Sequence, residues 1–348
     1  KLEETKIAEA RQKSAIRILD EAIEPRAPIS PKKRLNLLLG ALIGLGLGVG
    51  LTFLIEFFDD SIKNPEELER MGFPILAIIP QIAPRELKSR KRFSTNGNNG
   101  DLTNTESIEA RLVTHLDPKS PVSEAYRTLR TNIQFQKMKN RDQTILVTSS
   151  APKEGKSTTI ANVAITMAQM GSKTLLVDTD LRRPVIHSIF NLKKDKGITN
   201  YLIGKLTFEE VVKPTFIENL FCVTSGPLPP NPSEMLSSGQ MDEFIRTAQE
   251  NFDLVLFDSP PIIAVTDAAI LGSKVDGTLL VIRAHQTQKE AVQRAKTLMD
   301  NVQAGILGCL LNSVNIDRAY GSYYYYYYYH YYSYYGHDLK RRKKNKVA

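Results

Sequence analysis

Two hydrophobic patterns divide the chain. Positions 35–55 carry no charge, and Arg34 and Glu56 bound them. A helix rising about 1.5 Å per residue over this run reaches roughly 31 Å, the thickness of a bilayer core. Gly40, Gly44, Gly46, Gly48 and Gly50 would weaken a helix in water, whereas small residues four apart let helices pack closely in lipid. The run predicts one transmembrane helix. A signal sequence fits less well, because a charged helical segment precedes it and no small-residue cleavage pattern follows. From residue 120 onward, short apolar runs alternate with helical stretches. Strands are predicted at 144–149, 174–178, 220–223, 254–258, 278–282 and 306–311. Most are too continuously apolar to face water on one side, which predicts an α/β domain with a mostly parallel, doubly wound sheet.

Around these two blocks the pattern is weaker. Ile7, Ala10, Ser14 and Ile18 share a helical face within residues 1–24, as at the end of a coiled coil, and Pro25, Pro28 and Pro31 break it. Residues 25–34 form a proline-rich approach to the span. After the span, 64–68 starts a short helix, 74–80 reads as a short extended segment, and 85–105 reads as a flexible linker. The expected organisation is therefore an extracytoplasmic helical end (1–24), the approach (25–34), the span (35–55), a juxtamembrane segment and linker (56–118), a nucleotide-binding domain (119–316) and a tail (317–348).

Charge and composition alter this picture little. The net charge of +8 is concentrated in 85–92 and at Lys340, Arg341, Arg342, Lys343, Lys344 and Lys346. Such runs suit a solvated tail or anionic membrane lipid, and no recognition motif accompanies them to indicate a specific nucleic acid. Cys222 and Cys309 lie in separate apolar runs and have neither metal-ligand nor disulfide-framework spacing, so they read as reduced core residues. The tail is unusual in that twelve of the fourteen tyrosines fall within 320–335. Such a run has no alternation that could bury one face. It is either an adhesive low-complexity segment or a row of phosphate acceptors.

The first strand of the α/β block runs into Ser150-Ala151-Pro152-Lys153-Glu154-Gly155-Lys156-Ser157-Thr158, and a helix is predicted at 159–170. This strand–loop–helix order is that of an ATP-binding phosphate loop, whose backbone N–H groups and helix N-terminus cradle phosphates. Lys156 is placed to reach the β and γ phosphates, and Ser157 to ligate Mg²⁺. Ser150 stands where the usual first glycine would be. Two further acidic motifs end apolar strands, Asp178-Thr-Asp180-Leu-Arg182 and Asp258-Ser-Pro-Pro. Carboxylates at the C-terminal edge of parallel strands face the crevice where open α/β sheets bind ligands, and oxygen ligands suit Mg²⁺.

The extra Asp-x-Asp-x-Arg motif makes the sequence resemble the bacterial tyrosine kinases, membrane-tethered P-loop proteins whose three nucleotide motifs match 150–158, 175–182 and 254–261. The membrane-proximal part is similar to the C-terminal end of polysaccharide chain-length regulators, to which these kinases are fused. Partitioning and division-site ATPases share the sheet but carry a second lysine five residues before the main one, where this chain has Ala151. The resemblance implies that Lys156, Asp178, Asp180, Asp258 and Arg182 carry catalysis, with Ser157, Asp178 and Asp258 at Mg²⁺. It also implies a base against the tyrosine hydroxyl, with Asp178 and Asp180 both open for that role. Glu124, Arg127 and Arg130 match the family's oligomerisation motif and are expected to reach a neighbouring subunit in a ring; read from spacing alone they are surface ion pairs. Asn312 resembles the adenine-side residue, or is a strand-end turn.

The expected acceptors are Tyr320, Tyr323, Tyr324, Tyr325, Tyr326, Tyr327, Tyr328, Tyr329, Tyr331, Tyr332, Tyr334 and Tyr335, phosphorylated between subunits. The implied partners are further copies of the chain, a tyrosine phosphatase and polysaccharide polymerisation and export machinery. ATP use places the domain after the span in the cytoplasm, although Lys32, Lys33 and Arg34 before the span favour the opposite orientation. That expectation includes a second span upstream in the inner membrane. The competing expectation is a membrane scaffold with an ATPase switch and no tyrosine phosphorylation.

Overall fold

The computed structural model describes residues 3–7, 31–81, 112–140 and 143–315. The tyrosine cluster, the 85–105 linker, most of the 1–24 helical segment, Pro25 and Pro28 lie outside the described residues. The chain divides into two compact units, 1–59 and 60–348.

In the first unit, helix α1 (Lys33–Phe57) runs for 25 residues, an 18-residue stretch of it has a mean hydropathy of 2.3, and none of its side chains is buried. It extends two residues beyond the apolar run at each end, because the flanking Lys33, Arg34, Glu56 and Phe57 continue the helix without needing an apolar surround. A helix this apolar and this exposed has the length and composition to cross a bilayer.

The second unit is built on one eight-stranded sheet in the order β1-β8-β7-β2-β6-β3-β5-β4. The strands are β1 (Ile75–Pro80), β2 (Thr144–Ser149), β3 (Thr174–Asp178), β4 (Lys213–Pro214), β5 (Leu220–Val223), β6 (Leu254–Asp258), β7 (Gly277–Arg283) and β8 (Ile306–Val314). All neighbours pair in parallel except β4 with β5. β2, β3 and β6 are buried at every position, which explains their unbroken apolar pattern. Alternate residues of these strands feed two separate cores: Leu146, Val177 and Phe257 pack into one, and Ile145, Val147 and Leu176 into the other.

Helices cover both faces. In sequence order those that matter for the site are α2 (Pro65–Arg70), α3 (Pro121–Asn140), α4 (Lys156–Ala168), α5 (Gly239–Asn251), α6 (Asp267–Gly272) and α7 (Lys289–Asn301). The helix expected at 159–170 starts three residues earlier, because Gly155 adopts φ +97° at its N-cap and lets the chain turn straight from the loop into the helix. α4 is buried on every side from Thr159 to Ala168, so it is the central helix of its face.

The extended segment expected at 74–80 is the edge strand β1. It pairs with the last strand, Ile75 opposite Cys309 and Ile78 opposite Leu311. Gly308 permits this approach: at φ +152°, a Cβ there would fall 2.4 Å from the Pro74 carbonyl. Both cysteines are buried and free, and burial pushes the Cys309 thiol up to about 12.

Candidate phosphoryl-transfer site

β2 delivers the chain to the phosphate loop, and α4 begins at Lys156 with its first backbone N–H groups turned toward the loop's concavity. The loop is clasped from behind by the ends of β7 and β8. Asn312 Nδ2 donates to the Glu154 carbonyl at 2.8 Å, and Arg283 donates to the Lys153 carbonyl at 3.0 Å. A Cβ on Gly155 would lie 2.2 Å from Asn312 Nδ2, so a glycine is required by both space and dihedral angle. Glu154, only 1% exposed, accepts the Ala151 N–H at 3.0 Å and the Thr287 hydroxyl. Burial raises its pKa to about 7 against those bonds.

Three carboxylates converge in front of the loop. β3 and β6 lie side by side, and their register sets Asp178 directly opposite Asp258. Lys156 Nζ stands 3.0 Å from Asp180 Oδ2 and 3.6 Å from Asp258 Oδ1, while Ser157 Oγ donates to Asp258 Oδ2 at 2.7 Å. Asp178 is fully buried, and one of its oxygens accepts the Ile186 N–H at 3.1 Å. Among the described residues, Asp178 Oδ1 and Asp258 Oδ1 accept no hydrogen bond, the latter having only the longer ion-pair contact with Lys156. Burial, with Asp258 beside it, pushes the Asp178 carboxyl well above the usual range. Burial likewise raises Asp258, with Lys156 and Ser157 opposing it. Burial alone would depress the Lys156 ammonium, but Asp258 and Asp180 outweigh it and hold the charge more firmly.

Among the described residues, no group of three or more His, Cys, Asp or Glu is arranged to hold a metal unaided. The donors present fit Mg²⁺ in another way. Mg²⁺ takes one or two carboxylates and completes its shell with water and phosphate oxygens. Asp178 Oδ1 and Asp258 Oδ1, which accept no hydrogen bond, and the Ser157 hydroxyl supply that partial set.

Two families match the chain: one described as "AAA domain" over residues 143–308, the other as "G-rich domain on putative tyrosine kinase" over 1–57. The tyrosine-protein kinase YwqD of Bacillus subtilis is 42% identical over 218 residues, covering 62% of this chain and 92% of YwqD. The chain belongs to the bacterial tyrosine-protein kinases. The tyrosine-protein kinase etk of Escherichia coli K12 is 32% identical over 321 residues, 92% of this kinase and 44% of etk. The chain thus spans under half the length of that relative. The solved kinase domain of Escherichia coli tyrosine kinase ETK aligns with a TM-score of 0.66 at 30% identity, covering 75% of this kinase and 98% of that domain. The family, the P-loop fold and the apolar helix together make this a membrane-anchored, nucleotide-binding kinase.

The other residues expected at the site separate into distinct places. Arg182 forms a two-bond pair with Asp267, at 2.8 and 3.1 Å. Glu124 and Arg127 pair with each other on α3, and Arg130 reaches the Thr166 carbonyl of α4 at 3.3 Å. Arg127 and Glu124 are both about 30% exposed. Asn312 is committed to the loop backbone, with its Oδ1 accepting the Ser313 N–H at 2.8 Å.

Sequence reasoning passed over Glu154's clasp to Thr287, Arg283 and the Asp267–Ser233 pair. Each closes over a separation in sequence of 34 to 133 residues, for which a single chain gives no local signal. Only Asp267 offered a hint, as an acidic residue in the first turn of a helix.

Proposed function

We propose that this kinase transfers the γ-phosphoryl group of ATP to tyrosines, chiefly those at 320–335 of a neighbouring copy, from a site on the cytoplasmic side of an inner membrane. The observation that carries the reading is Lys156, held between Asp180 and Asp258 at the mouth of the phosphate loop with Ser157 on Asp258.

In the transfer, Lys156 exchanges its carboxylate partners for β- and γ-phosphate oxygens and stabilises charge developing between them. Ser157, Asp258 and Asp178 would hold Mg²⁺, which would supply positive charge to neutralise the phosphate oxygens. A tyrosine hydroxyl, with a pKa of about 10, attacks poorly near neutral pH unless a base takes its proton. Asp180 fits that role better than Asp178. Each has one oxygen tied to a backbone N–H, from Arg183 and Ile186 respectively, but Asp180 bonds directly to Lys156 at the loop mouth and keeps slight exposure, whereas Asp178 keeps none. Tyr126, one of the two tyrosines outside the tail, is buried, and burial pushes its hydroxyl up to about 12, so it is no acceptor.

Glu124, Arg127 and Arg130 line one side of α3 and would join copies into a ring that presents one copy's tail to the next site. Each added phosphate brings about −1.5 to −2 charges, so a heavily phosphorylated tail is expelled from an acidic site and the ring loosens. A tyrosine phosphatase would reverse this. The coupled process is polysaccharide polymerisation and export, by likeness to the chain-length regulators. A mixing experiment tests the arrangement: full-length Lys156→Met, which keeps its tail, is combined with an active copy truncated after residue 316. Phosphotyrosine on the Lys156→Met copy is expected. Its absence, with an intact chain that still labels itself, would show transfer within one copy.

A further inference from the structure

The Asp-x-Asp-x-Arg turn is held from outside the phosphate site. Arg182 Nε donates to Asp267 Oδ2 at 2.8 Å, and a terminal nitrogen donates to Asp267 Oδ1 at 3.1 Å. The Arg182 side chain is 40% exposed, whereas that of Asp267 is fully buried. Ser233 Oγ donates to Asp267 Oδ1 at 2.6 Å and itself accepts from Arg182 at 3.2 Å. Three segments distant in sequence therefore meet: the turn after β3, the short helix Pro232–Ser237 and the first turn of α6.

The other end of the turn carries Asp180. Its Oδ1 accepts the Arg183 N–H at 2.9 Å, closing the turn, and its Oδ2 faces Lys156 Nζ at 3.0 Å. Arg182 lies between these two anchors. A planar guanidinium gripped at two points has one orientation, whereas a free arginine at this exposure would sample many rotamers. A buried carboxylate without its cation is costly, so Asp267 fixes Arg182 as firmly as Arg182 neutralises Asp267.

We propose that Asp267, assisted by Ser233, is a positioning residue for phosphoryl transfer: it anchors Arg182 and thereby fixes the 180–183 turn that aims Asp180 at Lys156. Arg182 then acts as a strut of the site and makes no phosphate contact. The proposal rests on the kinase reading of the site. It gives this family motif's arginine a partner more than eighty residues away in sequence.

The test uses the full chain in detergent, comparing wild type with Asp267→Asn, Asp267→Glu, Arg182→Gln, Ser233→Ala and the Asp267→Asn/Arg182→Gln double variant. Tyrosine phosphorylation rates are measured against ATP concentration, together with binding of a fluorescent ATP analogue and thermal unfolding. Displacing a catalytic group by about 1 Å can cost about a hundredfold, so kcat should fall about tenfold to a hundredfold in Asp267→Asn and Arg182→Gln. KM for ATP and analogue affinity should stay within about twofold, since no phosphate contact is lost. The double variant should be no slower than the slower single one, because both remove the same contact, and Asp267→Glu should recover part of the rate.

Unchanged kcat in the folded single variants overturns the proposal and leaves an ordinary structural ion pair. A raised KM with unchanged kcat overturns it by assigning the pair to ATP binding. If Asp267→Asn does not fold, Ser233→Ala decides: losing one hydrogen bond should lower kcat about fivefold, and an unchanged kcat refutes the proposal. An inactive wild type would defeat the kinase reading itself, whereas an active wild type with unaffected variants defeats only the positioning role.

Discussion

Glu154 offers a test of the phosphate loop that needs no nucleotide. Its carboxyl is buried behind the loop, and burial raises its pKa from an ordinary 4.5 to about 7. A rise of that size makes the charged form about 3 kcal/mol costlier in the fold than in the unfolded chain. The folded state thus binds the proton more tightly. The stability due to this group is complete below about pH 4.5, declines as pH rises, and is lost above about pH 7. Glu154→Gln imitates the protonated form. The amide oxygen can accept the Ala151 N–H, and the amide nitrogen can donate to Thr287, whose hydroxyl rotates to accept. Denaturant unfolding of wild type and Glu154→Gln, followed at pH 5, 6, 7 and 8, measures the effect. The variant's advantage should grow by up to about 3 kcal/mol between pH 5 and 8. Parallel stability curves, or an advantage that shrinks as pH rises, would refute the reasoning.

Three other perturbations follow from the same geometry. Gly155→Ala forces a side chain into φ +97° and against Asn312, so the loop should lose stability by about 1–3 kcal/mol and ATP affinity by at least about tenfold, read by calorimetry. Lys156→Met leaves Asp180 and Asp258 without their cation, and phosphoryl transfer should fall by at least about a hundredfold in a rate assay. Truncation after residue 316 should remove most label from the chain while leaving ATP hydrolysis within about twofold, since that truncation spares every residue placed at the loop.

The parts of the fold visible in the sequence were those determined locally. β2, β3, β5 and β6 begin and end where the apolar runs do, because strands buried on both faces tolerate no polar interruption. The phosphate loop and its carboxylates were visible for a related reason: each motif closes a strand, and parallel strands bring their C-terminal ends together. What stayed hidden depends on long-range closure. The segment 74–80 looks like an isolated extended stretch, yet it pairs with β8 more than two hundred residues later. Arg182 reads as part of the catalytic motif beside Asp180, and only the folded chain shows its pairing with Asp267. Glu124 and Arg127 were legible as an ion pair, because i and i+3 positions on a helix are neighbours.

The central claim is that this site moves phosphate from ATP to tyrosine. The most direct measurement incubates the full chain in detergent with Mg²⁺ and γ-labelled ATP, then identifies the labelled amino acid after acid hydrolysis and maps it by peptide mass spectrometry. The account predicts phosphotyrosine concentrated in 320–335 and absent from Lys156→Met. Label on serine or threonine, label that survives Lys156→Met, or ATP hydrolysis with no protein label would contradict it.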